Sequence, residues 1–167
     1  MTGSSGSRQP NSKPIGIIVR SGELVQKPRN TGWQSIFLVS KEGRPRIVLP
    51  DNWSTYRKNA WMAVQAGPRL VADGHTVKLK PNYSAPRVGV CIQWDRDLIF
   101  FATPATQKFH VTEMAKIARR KEDQGGLACR DAVGRVVQRE AEAAAFEGDG
   151  GGHGGRAVAE LRLRAAD

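Results

Sequence analysis

The residues Val64-Gln65-Ala66-Gly67-Pro68-Arg69-Leu70-Val71 place an amide and a guanidinium on either side of a Gly-Pro break between two short apolar runs. The pattern predicts a strand, a tight turn and a second strand. Pro68 fixes its own φ and biases Gly67 towards extended backbone, while Gly67 has no Cβ to hold other backbone away. Arg69 is planar and permanently charged, so on a rigid turn it is placed to fork onto a phosphate or a carboxylate. Gln65 can donate to a polar ligand group or satisfy a neighbour in its strand. The competing reading is an ordinary hairpin with a surface arginine. His75 and His110 show no metal-ligand spacing and His153 sits in a glycine run, so no metal site is expected; the cofactor requirement stays unknown.

The elements that must hold these residues are mostly short strands, expected at 15–20, 23–27, 35–40, 45–49, 61–66, 69–72, 76–79, 87–94 and 97–103, with Ser-Gly, Glu-Gly-Arg-Pro, Gly-Pro and Asp-Gly turns between them. Two hairpins stand out, one turning at Glu42-Gly43 and one joining Val88–Gln93 to Leu98–Phe101, the latter apolar enough to be central. A helix is expected over 111–121, because Val111, Met114, Ala115 and Ala118 recur at helical spacing, with Thr106 or Thr112 as its cap. The fold class is therefore α+β, a mixed and mostly antiparallel sheet with one or two packed helices. Trp33, Trp53, Trp61 and Trp94 are expected to pack against the sheet, although aromatic rings also serve as sugar-stacking platforms.

At 167 residues the chain can bury one real core. No apolar run is long enough for a transmembrane helix, and the polar, Gly/Ser-rich start shows no signal peptide. Cys91 and Cys129 could pair under oxidising conditions, but two cysteines make no disulfide framework, and buried free thiols are the expectation. The net charge of +10 is spread along the body rather than gathered in a nucleic-acid motif. Attraction to anionic sugars serves as well, and a nucleic-acid partner is not expected. All 9 lysines lie at or before Lys121, and residues 135–167 hold 5 Arg against 6 acidic residues in an Ala/Gly-rich context. Residues 134–167 therefore read as a low-complexity tail, either a flexible appendage or a GC-rich stretch translated in an unintended frame. Residues 1–12 read as a disordered leader or truncated loop.

The Gln-Ala-Gly-Pro-x-Leu-Val stretch resembles a motif of the phosphodiester glycosidase family, the uncovering-enzyme-like domain found in many exopolysaccharide-associated proteins. The resemblance takes in Lys13-Pro14-Ile15-Gly16-Ile17-Ile18-Val19, the Ser21-Gly22-Glu23-Leu24 turn, Arg87-Val88-Gly89-Val90-Cys91-Ile92, the Asp95-Arg96-Asp97 turn, the 111–121 helix and Gly126-Leu127-Ala128-Cys129-Arg130-Asp131-Ala132-Val133. It covers residues 13–133, in order and at matching spacing.

The resemblance implies hydrolysis of a sugar-phosphate diester or processing of exopolysaccharide, by a protein that is secreted or periplasmic. Such chemistry needs leaving-group help, charge stabilisation on the phosphate and support for an oxocarbenium-like sugar. By motif position, Arg69 and Arg87 become the phosphate-binding candidates, expected to converge on one cleft. Gln65 and Gly67 complete the substrate-binding set, and Asp131 is the catalytic carboxylate; a local hydrogen-bonding role for Asp131 weighs equally. Two family features are displaced: the Asn-Gly-x-Phe-Phe opening, where Thr2-Gly3-Ser4-Ser5-Gly6 stands, and the Leu-Asp-Gly-Gly-Gly-Ser loop, which Asp149-Gly150-Gly151-Gly152 matches only in letters. An incomplete, inactive domain, or a module that binds sugar phosphate or anionic polysaccharide without cleaving it, is the alternative.

Overall fold

Two-residue turns with positive φ close two of the four described hairpins, because their twist matches that of the strands they join. In the computed structural model, which describes residues 16–28, 34–80, 84–104, 106–136 and 159–163, β1 (Ile18–Arg20) turns through Ser21-Gly22 into β2 (Glu23–Gln26). β3 (Ser35–Ser40) turns at Glu42-Gly43 into β4 (Pro45–Val48). Glu42 staples that turn, accepting from Ser40 Oγ at 2.7 Å and Asn59 Nδ2 at 2.8 Å. A 3₁₀ turn (Pro50–Asn52) and a single turn of helix, α1 (Trp53–Tyr56), lead to β5 (Ala60–Ala66). β6 (Arg69–Ala72) turns through Asp73-Gly74 into β7 (His75–Thr76), and β8 (Arg87–Ile92) turns at Asp95–Asp97 into β9 (Leu98–Ala102). Helix α2 (Val111–Arg119) follows, then β10 (Asp131–Val136) and β11 (Ala159–Leu163).

The described strands form two antiparallel sheets, ordered β2-β1-β5-β3-β4 and β11-β9-β8-β10-β6-β7. The α+β, antiparallel expectation holds, with the strands divided between two sheets. Three clusters of buried side chains give the layer order. Ile17, Ile36, Leu38, Ala63 and Trp53 join the first sheet to α1. Phe37 and Ile47 meet Val90, Ile92 and Val133 between the sheets, where Phe37 and Phe100 stack edge to face. Leu70, Val71, Cys91, Phe101 and Ala132 pack under Val111, Met114, Ala115 and Ala118 of α2. The apolar stripe of α2 is the one its spacing predicts. Its N-cap is His110, neither of the expected threonines, because Glu113 reaches back to the His110 backbone N–H at 2.8 Å.

Three further expectations are corrected. Gln65–Arg69 is not a hairpin: β5 and β6 lie in different sheets, and Gly67-Pro68, joined by a cis peptide bond, carries the chain across. Trp53 is core, whereas Trp61 and Trp94 are exposed; Trp33 lies outside the described residues. Cys91 and Cys129 are paired in a disulfide, with Cα atoms 5.5 Å apart, because β8 and the segment leading into β10 run side by side under α2. The segment read as a tail contributes backbone to the second sheet twice: β10 continues to Val136, and Ala159–Leu163 pairs along β9. Residues 1–12 and Asp149-Gly150-Gly151-Gly152 lie outside the described residues.

Candidate functional site

Side chains alternate between the faces of a strand, so the register of the second sheet decides which charged groups can meet. Asp131 lies opposite Ile92, and Val133 lies opposite Val90, all directed towards the first sheet. Between β10 and β6 the register slips: Ala132 faces Val71, yet the next residue, Val133, faces Arg69. This bulge sends both Leu70 and Val71 into the α2 core and turns Arg69 onto the same face as Asp131. Gly134 makes room for it, since a Cβ there would come within 2.9 Å of Leu70 Cδ1.

The result is a carboxylate clamped by two guanidiniums. Arg69 Nη2 donates to Asp131 Oδ1 at 2.6 Å, and Arg130 Nε donates to Oδ2 at 3.0 Å. The Asp131 side chain is only 8% exposed, while those of Arg69 and Arg130 are 20% and 28% exposed, so the carboxylate is the buried member. The Asp73 backbone N–H makes a long contact to Oδ1 at 3.4 Å, and Gly74 N–H donates to the Arg130 carbonyl at 2.8 Å, tying the β6–β7 turn to the start of β10.

Arg69, Asp73, Arg130 and Asp131 form one wall of an open cleft of about 400 Å³, whose other wall comes from the edge of the first sheet and α1: Arg46, Leu49, Asn52 and Tyr56 among them. The Arg46 guanidinium lies over the Tyr56 ring, 5.6 Å from its centre. Three arginines against two aspartates leave the cleft one positive charge in excess. Asp131 and the Val71 carbonyl take only part of the donor capacity of Arg69, and Asp131 takes only Nε of Arg130. Among the described residues no other acceptor engages these two guanidiniums. The arrangement offers N–H donors preoriented by a buried carboxylate, with a phenol ring in the wall, a donor set whose chemistry suits an anion.

Asp131 and Arg69, paired in the sequence reading only by function, are thus in direct contact. Arg87 is elsewhere. It shares the face of Gly89 and Cys91, is 2% exposed, and its Nε donates to the Phe109 carbonyl at 3.2 Å in the core under α2. The expected convergence of Arg69 and Arg87 on one cleft does not occur, because the two side chains occupy opposite faces of the second sheet. Gln65 is also buried, its Oε1 accepting from the Ile17 backbone N–H at 3.0 Å in the first sheet. Gly16 packs against it so closely that a Cβ would come within 2.7 Å of the Gln65 amide oxygen. Gly67 sits buried in the crossing between sheets, next to Pro68, whose carbonyl accepts from Gly134.

The sequence reading missed Arg130, Asp73, Arg46 and Tyr56. Arg130 was visible as the neighbour of Asp131, and Asp73 as half of an Asp-Gly turn; nothing in the spacing of Arg46 and Tyr56 ties them to the others. Among the described residues no group of His, Cys, Asp or Glu could hold a metal ion, and no helix is long and apolar enough to cross a membrane.

Two facing antiparallel sheets flanked by helices, with an arginine-lined cleft between them, define an α+β domain. The chain belongs to the phosphodiester glycosidase family, whose model matches residues 2–134. Comparison with curated proteins and with solved structures finds no match.

Proposed function

We propose that the cleft binds the phosphate of a sugar-phosphate diester between Arg69 and Arg130, and that hydrolysis of that diester, or processing of a phosphate-bearing exopolysaccharide, is the reaction of this domain. The observation that carries the reading is the clamp itself. Both Asp131 oxygens are engaged by guanidinium N–H groups, so Asp131 acts here by aiming the two arginines. Asp73, on the same wall, is the carboxylate left to assist the leaving group. Tyr56 offers the sugar a ring edge. Gln65, Gly67 and Arg87 support the site from a distance by fixing β1 against β5, the crossing between sheets, and β8 against the loop before α2. The Cys91–Cys129 disulfide suits an oxidising, secreted or periplasmic setting.

A non-catalytic sugar-phosphate-binding module is the second reading, favoured by the same double engagement of Asp131. Calorimetric titration with a sugar 1-phosphate, run beside hydrolysis of a chromogenic sugar phosphodiester, tests both. Arg69→Gln should weaken binding by about tenfold or more, the loss expected for one charge-assisted anchor. Turnover that Asp73→Asn abolishes establishes the enzyme; binding with no turnover establishes the module. Equal binding by the parent chain and Arg69→Gln would remove the site altogether.

A further inference from the structure

A second cavity, about 840 Å³, opens on the α2 side of the same sheet and has no share in the chemistry described above. Its rim carries Lys116, Arg119, Arg120 and Lys121, with Trp94 across from them at 65% exposure. Among the described residues none of these cations has a carboxylate within ion-pair distance. Cations in the last turn of a helix complement its dipole, which accounts for Lys116 and Arg119. It does not account for Arg120 and Lys121, beyond the helix on the same rim, nor for a tryptophan left in water.

The two cavities share a partition. Asp73 lines the first and Gly74 the second; Arg130 and Asp131 line the first, Ala128 and Cys129 the second. Adjacent residues lie about 3.8 Å apart along the chain. The Gly74 N–H to Arg130 carbonyl bond joins the two halves of this wall. Gly74 also lets Trp94 close over the turn, since a Cβ there would lie 2.8 Å from the indole ring. A ligand longer than one sugar can therefore leave the arginine clamp, round the Asp73-Gly74 turn and reach the basic rim.

We propose that the rim of Trp94, Lys116, Arg119, Arg120 and Lys121 is an accessory subsite for an acidic polysaccharide, with a pyranose face on the indole and the carboxylates or phosphates of neighbouring sugars on the cations. This rests on the cleft being a carbohydrate site. Acidic polysaccharide fits better than single-stranded nucleic acid, because grooves for the latter line up successive aromatic platforms, and here one indole stands alone among the cations.

The test compares the intact chain with an Arg119→Gln, Arg120→Gln, Lys121→Gln triple variant and with Trp94→Ala, all on exposed positions. The probes are a short oligogalacturonate, a malto-oligosaccharide of equal length, an oligothymidylate of equal charge, and a sugar 1-phosphate. The oligogalacturonate should bind the intact chain, lose about fivefold or more in affinity in each variant, and weaken steeply with salt. The malto-oligosaccharide should bind poorly, and the sugar 1-phosphate should bind the variants as it binds the parent. Failure of the sugar 1-phosphate to bind the parent would sink the clamp reading alone, since the groove variants report separately on the acidic oligosaccharide. Unchanged oligogalacturonate affinity in the variants, or equal binding of the malto-oligosaccharide, overturns the subsite; tighter binding of the oligothymidylate makes it a nucleic-acid groove instead.

Discussion

Replacing Asp131 by Asn removes the charge that holds Arg69 and Arg130 together while leaving the shape of the side chain intact. The carboxylate accepts charged hydrogen bonds at 2.6 and 3.0 Å, and its side chain is 8% exposed. The amide can accept one of these; its NH2 faces the other guanidinium as donor against donor. Removing one partner of a buried ion pair costs about 3–5 kcal/mol, because the remaining charge is left uncompensated. Here water reaches the arginines, at 20% and 28% exposure, so the expectation falls to the bottom of that range and below, roughly 2–3 kcal/mol. For a chain of this size each kcal/mol moves Tm by about 2–4 °C, giving a drop of roughly 4–12 °C. An anion that enters the clamp should then substitute for the lost carboxylate. Thermal melts in increasing inorganic phosphate, with chloride matched for ionic strength, should raise the Tm of Asp131→Asn by several degrees more than that of the parent chain, since binding to the folded state alone stabilises it. A fall in Tm below about 2 °C would show that the clamp carries no appreciable stability. Parallel phosphate curves for the two proteins would show that the anion does not bind between the arginines.

Arg87→Met should destabilise the chain by about 2 kcal/mol or more, as expected for loss of a buried charged hydrogen-bonding group, yet leave sugar 1-phosphate affinity within about twofold; a selective loss of affinity without loss of Tm would return Arg87 to the site. Opening the Cys91–Cys129 disulfide releases a loop of 38 residues from its closure. For that length the chain-entropy model gives about 4 kcal/mol as an upper figure, so Cys91→Ala/Cys129→Ala should lower the urea midpoint markedly, and coincident midpoints for oxidised and reduced protein would contradict the pairing.

The strands and hairpins were legible because each is written locally: Ser21-Gly22, Glu42-Gly43, Asp73-Gly74 and Asp95–Asp97 fall between apolar runs, and the 111–118 stripe has one helical period. Membership of a sheet is not local. Val64–Val71 reads identically whether β5 and β6 pair with each other or part at Gly67-Pro68 into separate sheets, and the long-range pairing of β5 with β1 and β3, and of β6 with β10, decides it. The site inherits that limit. Motif order brought out Arg69, Arg87 and Asp131 alike, but a one-residue slip in register turns every later side chain to the other face, and the slip that brings Arg69 beside Asp131 has no signature in the letters Arg-Leu-Val. The disulfide was missed for the same reason, since nothing within either cysteine's own segment tells that β8 lies beside the approach to β10.

The proposed phosphate site should also show a preference among anions. With Asp131 in place, Arg69 and Arg130 together present one net positive charge, which matches the single negative charge of a phosphodiester. A phosphomonoester carries about −1.5 to −2 at neutral pH, and beside the Asp131 carboxylate its second charge meets repulsion as well as attraction. Discrimination of this kind comes from the unfavourable element in a site as much as from the favourable one, so if Arg69 and Arg130 hold a phosphate as proposed, the buried acid between them should disfavour monoesters. The consequence is measurable in the same Asp131→Asn protein. Relative to the parent chain, its affinity for a sugar 1-phosphate should rise several-fold against its affinity for the corresponding methyl phosphodiester, because the substitution leaves two positive charges facing the ligand. If the ratio of the two affinities is unchanged, the carboxylate positions the arginines without setting which phosphate they accept.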